Sequence, residues 1–282
     1  MSNSSAVAPQ YWSSRHWSHI STREFAQAQT SGLAARTVAM LPVGAVEQHG
    51  PHLPVSVDAT LLQGIVDAAL PLLPADVPVL VLPAQNVGLS TEHLNFPGTL
   101  SLPPKLIIDL WTAMGNAVAR AGIHELLMFN THGGQVAVMD IVARELRIQH
   151  GMLVYSSSWG NLPLPADVTS QFSAEEHRFG IHGGEIETSM MLHLAPELVN
   201  MELAGCFHST SQDRAQHFSI LGNGKSAKMG WAMEDYNSCG AVGNAAGATA
   251  AKGQAVVAAA GQQLALLLQE IHQLEWRPAV AG

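Results

Sequence analysis

A three-layer α/β fold, with a mostly parallel central sheet flanked by helices, is what this sequence predicts, and three observations predict it. Four strand-like apolar runs alternate with helical patterns up to residue 156. That βαβ alternation implies parallel strands covered on both faces. The polar motifs each follow a strand, which gathers them at the carboxyl edge of the sheet, where open α/β folds place their sites.

The elements follow in chain order. Residues 1–10 are Ser/Ala-rich and expected to be disordered. With no internal repeat and no dividing linker, residues 11–282 form a single domain. The strands are expected at 38–43, 77–82, 126–130 and 152–156, with helices between them at 59–73, 104–121 and 135–149. Pro103-Pro104 starts the second of these helices and Gly122 stops it. Beyond Trp159 the pattern loosens into loops up to Gly180, and a helix follows at 185–194. Residues 200–243 read as long loops or short antiparallel strands, and a final Ala-rich helix spans 245–275. Within that loop region Gly222-Asn223-Gly224-Lys225-Ser226 imitates a phosphate loop, but Ser219 stands where the first glycine is needed; it reads as a surface turn.

Composition narrows the partners. A formal charge of −9 argues against nucleic acid and anionic membrane, which demand basic patches. No secretory signal and no run of membrane-spanning length is present, and Cys206 and Cys239 are too few for a disulfide framework or a cysteine zinc site. A reducing cytoplasm fits best. With 47% hydrophobic and 12% charged residues, a well-buried core is expected, together with room for a subunit interface.

The most informative string, Glu47-Gln48-His49-Gly50-Pro51-His52-Leu53-Pro54, follows the first strand and is closed by Asp58. Alternate residues of an extended segment point the same way, so Glu47 and His49 can converge, and the Gly/Pro turn can return Asp58 to them. Imidazole plus carboxylate suits zinc, manganese or ferrous iron. From the residues alone, a polar surface turn with hydrogen-bonding histidines fits equally. Most of the fourteen histidines, His16, His19, His124, His150, His208, His217 and His272 among them, sit in no such constellation.

Three further segments occur in order: Gly88-Leu89-Ser90-Thr91-Glu92-His93 through Thr99, Asn130-Thr131-His132-Gly133-Gly134-Gln135, and His182-Gly183-Gly184-Glu185-Ile186-Glu187-Thr188-Ser189. Together the four strings resemble the creatininase family of metal-dependent amidohydrolases over roughly residues 35 to 260. The resemblance implies that Glu47, His49, Asp58, His132 and Glu187 hold two divalent ions per subunit, zinc or manganese with ferrous iron also fitting. Asp58 would bridge, with Glu47 and His132 on one ion and His49 and Glu187 on the other. It further implies hydroxide attack on an amide carbon, a proton shuttle at His182, a substrate border at Ser90 and a homohexamer.

Other residues keep two readings. Glu185 is a catalytic candidate, a supporting contact, or a carboxylate favoured by its helix N-terminus. Glu92 and His93 either meet substrate or hydrogen-bond to the metal shell, and His52 reads as a supporting residue too. Trp159 covers substrate or fills the core. Two departures matter. Thr131 and Gln135 stand where the family usually has Gly and Asn. Gly133 and Gly134 stand where creatinine-opening members carry an aromatic residue and a glutamate, which turns the expectation away from creatinine itself.

The expected activity is hydrolysis of a non-peptide C–N bond in a small-molecule amide, a cyclic one first, with a deformylase as runner-up. Arg and Lys are scarce in the loop motifs, which speaks against a phosphorylated nucleotide. A non-catalytic metal-containing sensor or scaffold is the alternative from another class. The carboxylate-rich ligand set disfavours it, because structural zinc sites are closed and cysteine-rich.

Overall fold

The computed structural model describes residues 10–274, so most of the segment expected to be disordered, and Glu275 at the end of the last expected helix, lie outside the described residues. Four parallel strands, β1 (Val38–Val43), β2 (Val79–Val81), β3 (Glu125–Asn130) and β4 (Leu153–Ser158), form one sheet in the order β2-β1-β3-β4. Val38 lies beside both Val79 and Glu125, and Glu125 lies beside Leu153. The second strand is shorter than expected because Pro78 and Pro83 flank it and have no N–H for a ladder.

Nine α-helices surround the sheets among the described residues: α1 (Thr22–Ser31), α2 (Val57–Ala69), α3 (Pro104–Arg120), α4 (Val136–His150), α5 (Ala166–Thr169), α6 (Ala174–Phe179), α7 (Glu185–Leu194), α8 (Thr210–His217) and α9 (Ala250–Gln273). Helix α2 starts two residues before the expected position and stops at Ala69, where Pro71 turns the chain into a 3-10 segment. Helix α9 begins at Ala250, later than expected, because the Thr249 side chain caps it by accepting from Lys252 N. Helix α1 was not expected, although Ser21 and Glu24 form a capping box and Gly32 closes it in the left-handed conformation. A small antiparallel pair, β5 (Cys206–Phe207) with β6 (Gly243–Asn244), lies in the region expected to hold loops or short strands.

Alternation along each strand divides the core. Val38, Met40, Val79, Leu127 and Phe129 face the layer of α2, α7 and α9, whereas Ala39, Leu41, Leu80, Leu126 and Met128 face α3 and α4. Both faces of β1 are therefore buried, which is why its sequence is apolar throughout. Helix α9 lies so close to α7 that a Cβ on Gly253 would stand 1.8 Å from Ser189 O. Strand β4 is the open edge, with Tyr155 42% exposed. No helix among the described residues is long and apolar enough to cross a membrane.

Glu125 opens β3 with its Oε2 buried and unpartnered, and burial pushes its carboxyl up to about 7. A folded-state pKa above the ordinary value means the protonated form is the one the fold favours. Stability is thus full below the ordinary carboxylate range and is lost as pH rises through about 7. Glu125→Gln is expected to raise the melting temperature at pH 8, with the gap closing as pH falls toward the ordinary Glu value. A gap of constant size across that range would overturn the assignment.

Candidate metal centre

The carboxyl ends of β1 and β3 meet the N-termini of α2 and α7 at one buried point. Past β1 the chain runs extended and tethered: Gly44 N donates to Gln85 O at 2.9 Å and Glu47 N to Val55 O at 2.9 Å. This places Glu47 and His49 on the same side, two residues apart. Asp58 and Glu187 each stand in the first turn of a helix, α2 and α7, where the helix dipole favours a carboxylate. His132 follows β3, held by Asn130: His132 N donates to Asn130 Oδ1 at 2.9 Å, and Asn130 Nδ2 donates to His132 O at 2.5 Å. Gln135 braces this loop on β1 by donating to Gly44 O at 3.1 Å, and Thr131 Oγ1 donates to Asp58 O at 2.8 Å.

Six side chains converge. His49 Nε2 lies 3.9 Å from each of Glu47 Oε1, Asp58 Oδ1 and Glu187 Oε2. His132 Nδ1 lies 3.2 Å from Glu47 Oε1 and 3.6 Å from Asp58 Oδ2. Asp58 therefore turns one oxygen to each histidine. His182 Nδ1 is 3.7 Å from Glu47 Oε1. The ligand atoms of Glu47, Asp58 and His132 lie within 4.8 Å of one another, as do those of His49, His182 and Glu187.

Backbone carbonyls set the tautomers. A ring nitrogen against a carbonyl oxygen must carry the proton, so the other nitrogen keeps its lone pair. His49 Nδ1 donates to Glu47 O at 3.0 Å, His132 Nε2 to Leu89 O at 2.9 Å, and His182 Nε2 to Gln48 O at 2.7 Å. The second nitrogen of each of the three rings thus faces the cluster. His93 is the reverse case. Gly50 N donates to Gln48 Oε1, which orients the amide so that Gln48 Nε2 donates to His93 Nδ1 at 2.7 Å. The proton of His93 is then on Nε2, 3.5 Å from Glu47 Oε1, and the ring supports that carboxylate instead of presenting a lone pair.

The cluster calls for cations. Two buried carboxylates, Glu47 and Asp58, and the partly buried Glu187 meet three imidazoles, and both His49 Nε2 and Asp58 Oδ2 are buried with no hydrogen-bond partner. Burial, with Glu47 close by, holds the Asp58 carboxyl well above its usual range, and burial raises Glu187 too. Burial and the neighbouring His182 push His49 far down, so its ring is neutral. Burial works against ionised Glu47 and His132, but their mutual attraction prevails, so His132 Nδ1 carries a proton toward Glu47 Oε1, at the position where a cation would take its place. An N/O donor set of this kind with orphaned atoms aimed inward fits zinc or manganese.

The remaining candidates fall outside this point. Ser90, expected at the substrate border, is fully buried and its hydroxyl donates to Glu47 Oε2, so it aims that carboxylate. Glu92, also expected at substrate, lies 3.3 Å from His132 Nε2, seated over Gly134, where a Cβ would stand 1.7 Å from its Oε1. Glu185 is not brought to the cluster: its carboxylate is paired with Lys252 Nζ on α9, while its N–H donates to Glu176 Oε1 at 2.6 Å. The helix turns it away from Glu187, two residues on. His52 ties its turn to α7 through Thr188 Oγ1 at 2.9 Å. Trp159 lines a cavity of about 370 Å³ together with His132, Glu187, Leu164, Phe172 and Ile186. Gly133 lines it too, and a Cβ there would meet no atom within 4 Å.

Two buried residues escaped the sequence reading. Gln48 sits between Glu47 and His49, its side chain donating to His93 Nδ1 and its carbonyl accepting from His182 Nε2, yet nothing in its identity signals burial. Glu176 accepts from Glu185 N and from Asn244 N at 2.8 Å, joining α6, α7 and β6, in a stretch that reads as loop.

Comparison with known proteins agrees with this fold. The family described as "Creatininase: Creatinine amidohydrolase" matches residues 18–268. The chain is 32% identical to the creatinine amidohydrolase of Pseudomonas putida over 182 residues, covering 60% of this chain and 68% of that one. It is 27% identical to the mycofactocin precursor peptide peptidase of Mycolicibacterium smegmatis over 222 residues, 78% and 79% of the two chains. A crystal structure from Bacteroides fragilis, provisionally named a creatinine amidohydrolase, superposes with a TM-score of 0.73 at 26% identity, covering 93% of this chain and 98% of that one. Creatininase structures with the same fold include a manganese form (TM-score 0.70, 23% identity, 93% and 100% covered) and a Zn–Zn form (0.68, 23%, 93% and 99%).

Proposed function

The chain belongs to the creatininase family of hydrolases, and on that footing we propose that it cleaves the C–N bond of a non-peptide amide, a cyclic amide first, at a centre for two divalent ions. The observation that carries the reading is Asp58, with one oxygen toward His49 and the other toward His132. Glu47, Asp58 and His132 would hold one ion, and His49, Asp58 and Glu187 the other, zinc or manganese. Bound there, such ions supply Lewis-acid polarisation of a carbonyl and lower the pKa of water.

The chain's own residues do the rest. Hydrogen bonds to Glu47 O and Leu89 O keep His49 and His132 in the tautomers that present lone pairs. Ser90 and His93 steady Glu47 from behind. His182 Nδ1, oriented by Gln48 O, takes the proton of the attacking water and returns it to the leaving nitrogen. Trp159 and the apolar wall beside it exclude water from the bound amide. The glycines at 133 and 134 leave creatinine itself aside.

A peptide bond is the second reading, favoured by the peptidase relative, and a formamide draws on the same chemistry. The test is a hydrolysis screen of metal-loaded protein against lactams, hydantoins, cyclic imides, formamides and short peptides. Turnover of peptides alone would overturn the non-peptide reading, and turnover of none by protein that holds its metal would overturn the hydrolase reading of this site. A homohexamer in a reducing cytoplasm completes the proposal, in keeping with two exposed free cysteines. Light scattering that returns the 29.9 kDa of one chain would overturn the hexamer.

A further inference from the structure

Four of the thirteen lysines and arginines of this acidic chain line a single cavity of about 440 Å³: Arg178, Arg214, Lys225 and Lys228, with Trp231 and Tyr236. Among the described residues none of the four has a carboxylate within ion-pair distance. The two arginines are held by neutral partners. Arg178 Nη2 donates to Gly222 O at 3.0 Å, and Arg214 Nη1 donates to Thr210 Oγ1 at 2.9 Å while its guanidinium lies 5.0 Å from the Tyr236 ring centre. Both are positioned without being neutralised. Cations spread over a solvated surface would leave no such focus. Gathered in a concave site of a chain with net charge −9, they attract an anion.

The cavity adjoins the candidate metal centre. Ile181, the neighbour of His182, lines both this cavity and the one that contains His132 and Glu187. Trp231 meets His93 edge-on at 6.1 Å, and His93 stacks on His182 at 4.3 Å. A substrate seated at the centre therefore has a cationic recess on its histidine side and an apolar one on its Trp159 side.

We propose that the cavity lined by Arg178, Arg214, Lys225 and Lys228 binds an anionic group of the substrate, a carboxylate or a phosphate, and so selects which amides reach the centre. The proposal rests on the metal-dependent hydrolase reading above and names part of its substrate. Planar guanidinium groups match either anion, and the two lysines add charge without demanding geometry. The absence of cations from the sequence motifs is no obstacle, because these four come from α6, α8 and the loop after α8.

Hydroxamates, which chelate divalent ions, provide probes that need no turnover. Calorimetry on the metal-loaded protein would compare acetohydroxamate with hydroxamates that carry a terminal carboxylate, phosphate or neutral alcohol on linkers of graded length. At some length an anionic tail should bind about tenfold or more tighter than the alcohol. The better of carboxylate and phosphate identifies the group. The gain should shrink at high salt and disappear in the Lys225→Gln/Lys228→Gln double variant and in Arg178→Gln. Acetohydroxamate affinity, metal content and melting temperature should stay unchanged in the double variant. Equal affinity for all tails at every length, or a gain that survives both variants, overturns the proposal. If acetohydroxamate itself fails to bind, the metal-centre reading falls and takes this inference with it.

Discussion

Asp58→Ala is expected to empty the centre of both ions. Each oxygen of Asp58 faces a different histidine, and no other carboxylate does so in the same way: Glu47 Oε1 approaches His49, His93, His132 and His182 with a single atom. Removing Asp58 therefore takes a ligand from both positions at once. Elemental analysis of protein purified without chelator should fall from about two ions per chain to near none, with loss of turnover. The stability readout separates this from misfolding. Metal should raise the melting temperature of the parent because it binds only the folded form, the stabilisation being roughly 2.7 kcal/mol at a hundredfold excess over Kd. That rise should vanish in the variant. The metal-free variant should melt no lower than the metal-free parent, because a buried carboxylate crowded against Glu47 has been removed. Retention of both ions would refute the bridging role.

His182 and Glu187 share one turn. Gly183 N donates to Glu187 Oε2 at 2.6 Å, so a folding defect in this segment would strike both variants alike. Their chemistry should separate them. His182→Ala is expected to keep both ions and to lose roughly 10²–10⁴ in turnover, the usual size of a lost proton-transfer group. Glu187→Ala should lose one ion and recover part of its activity when metal is added in excess. The geometry sharpens the comparison, because the Nδ1 lone pair of His182 lies within ligand range of His49 and Glu187. Should His182→Ala lose an ion, the ring is a ligand and the proton role fails; full activity with both ions present would make it structural. Glu185, the other catalytic candidate of this segment, is not free to replace it, since Lys252 holds its carboxylate.

The architecture was largely legible because each of its parts is written locally. The apolar run of β1 is readable since both of its faces are buried, and Pro104 with Gly122 brackets α3 closely. The errors have local causes as well. Pro71 ends α2 early, and the capping box of Ser21 and Glu24 was present in the sequence but unused. Through residues 159–180 no apolar periodicity survives, so α5 and α6 read as loop, although Ser173 caps α6 by accepting from Glu176 N.

By itself the sequence determined where the candidate residues lie. Glu47, His49, Asp58, His132, His182 and Glu187 fall in short strings at strand and helix ends, and the resemblance of those strings to the creatininase family names them together, whereas residue type and spacing alone leave a polar surface turn equally open. Their contacts were decided only in three dimensions. Ser90 and Glu92, expected at the substrate, each face a candidate ligand, and the helix turns the Glu185 carboxylate toward Lys252. Of the assembly of Arg178, Arg214, Lys225 and Lys228, Lys225 alone stands in a string the sequence singled out, and that string reads as a surface turn. The reason is physical: covalent spacing fixes where neighbours point within one turn or strand, whereas a cavity is closed by packing between segments far apart in the chain, and no local pattern records which charges will face each other across it.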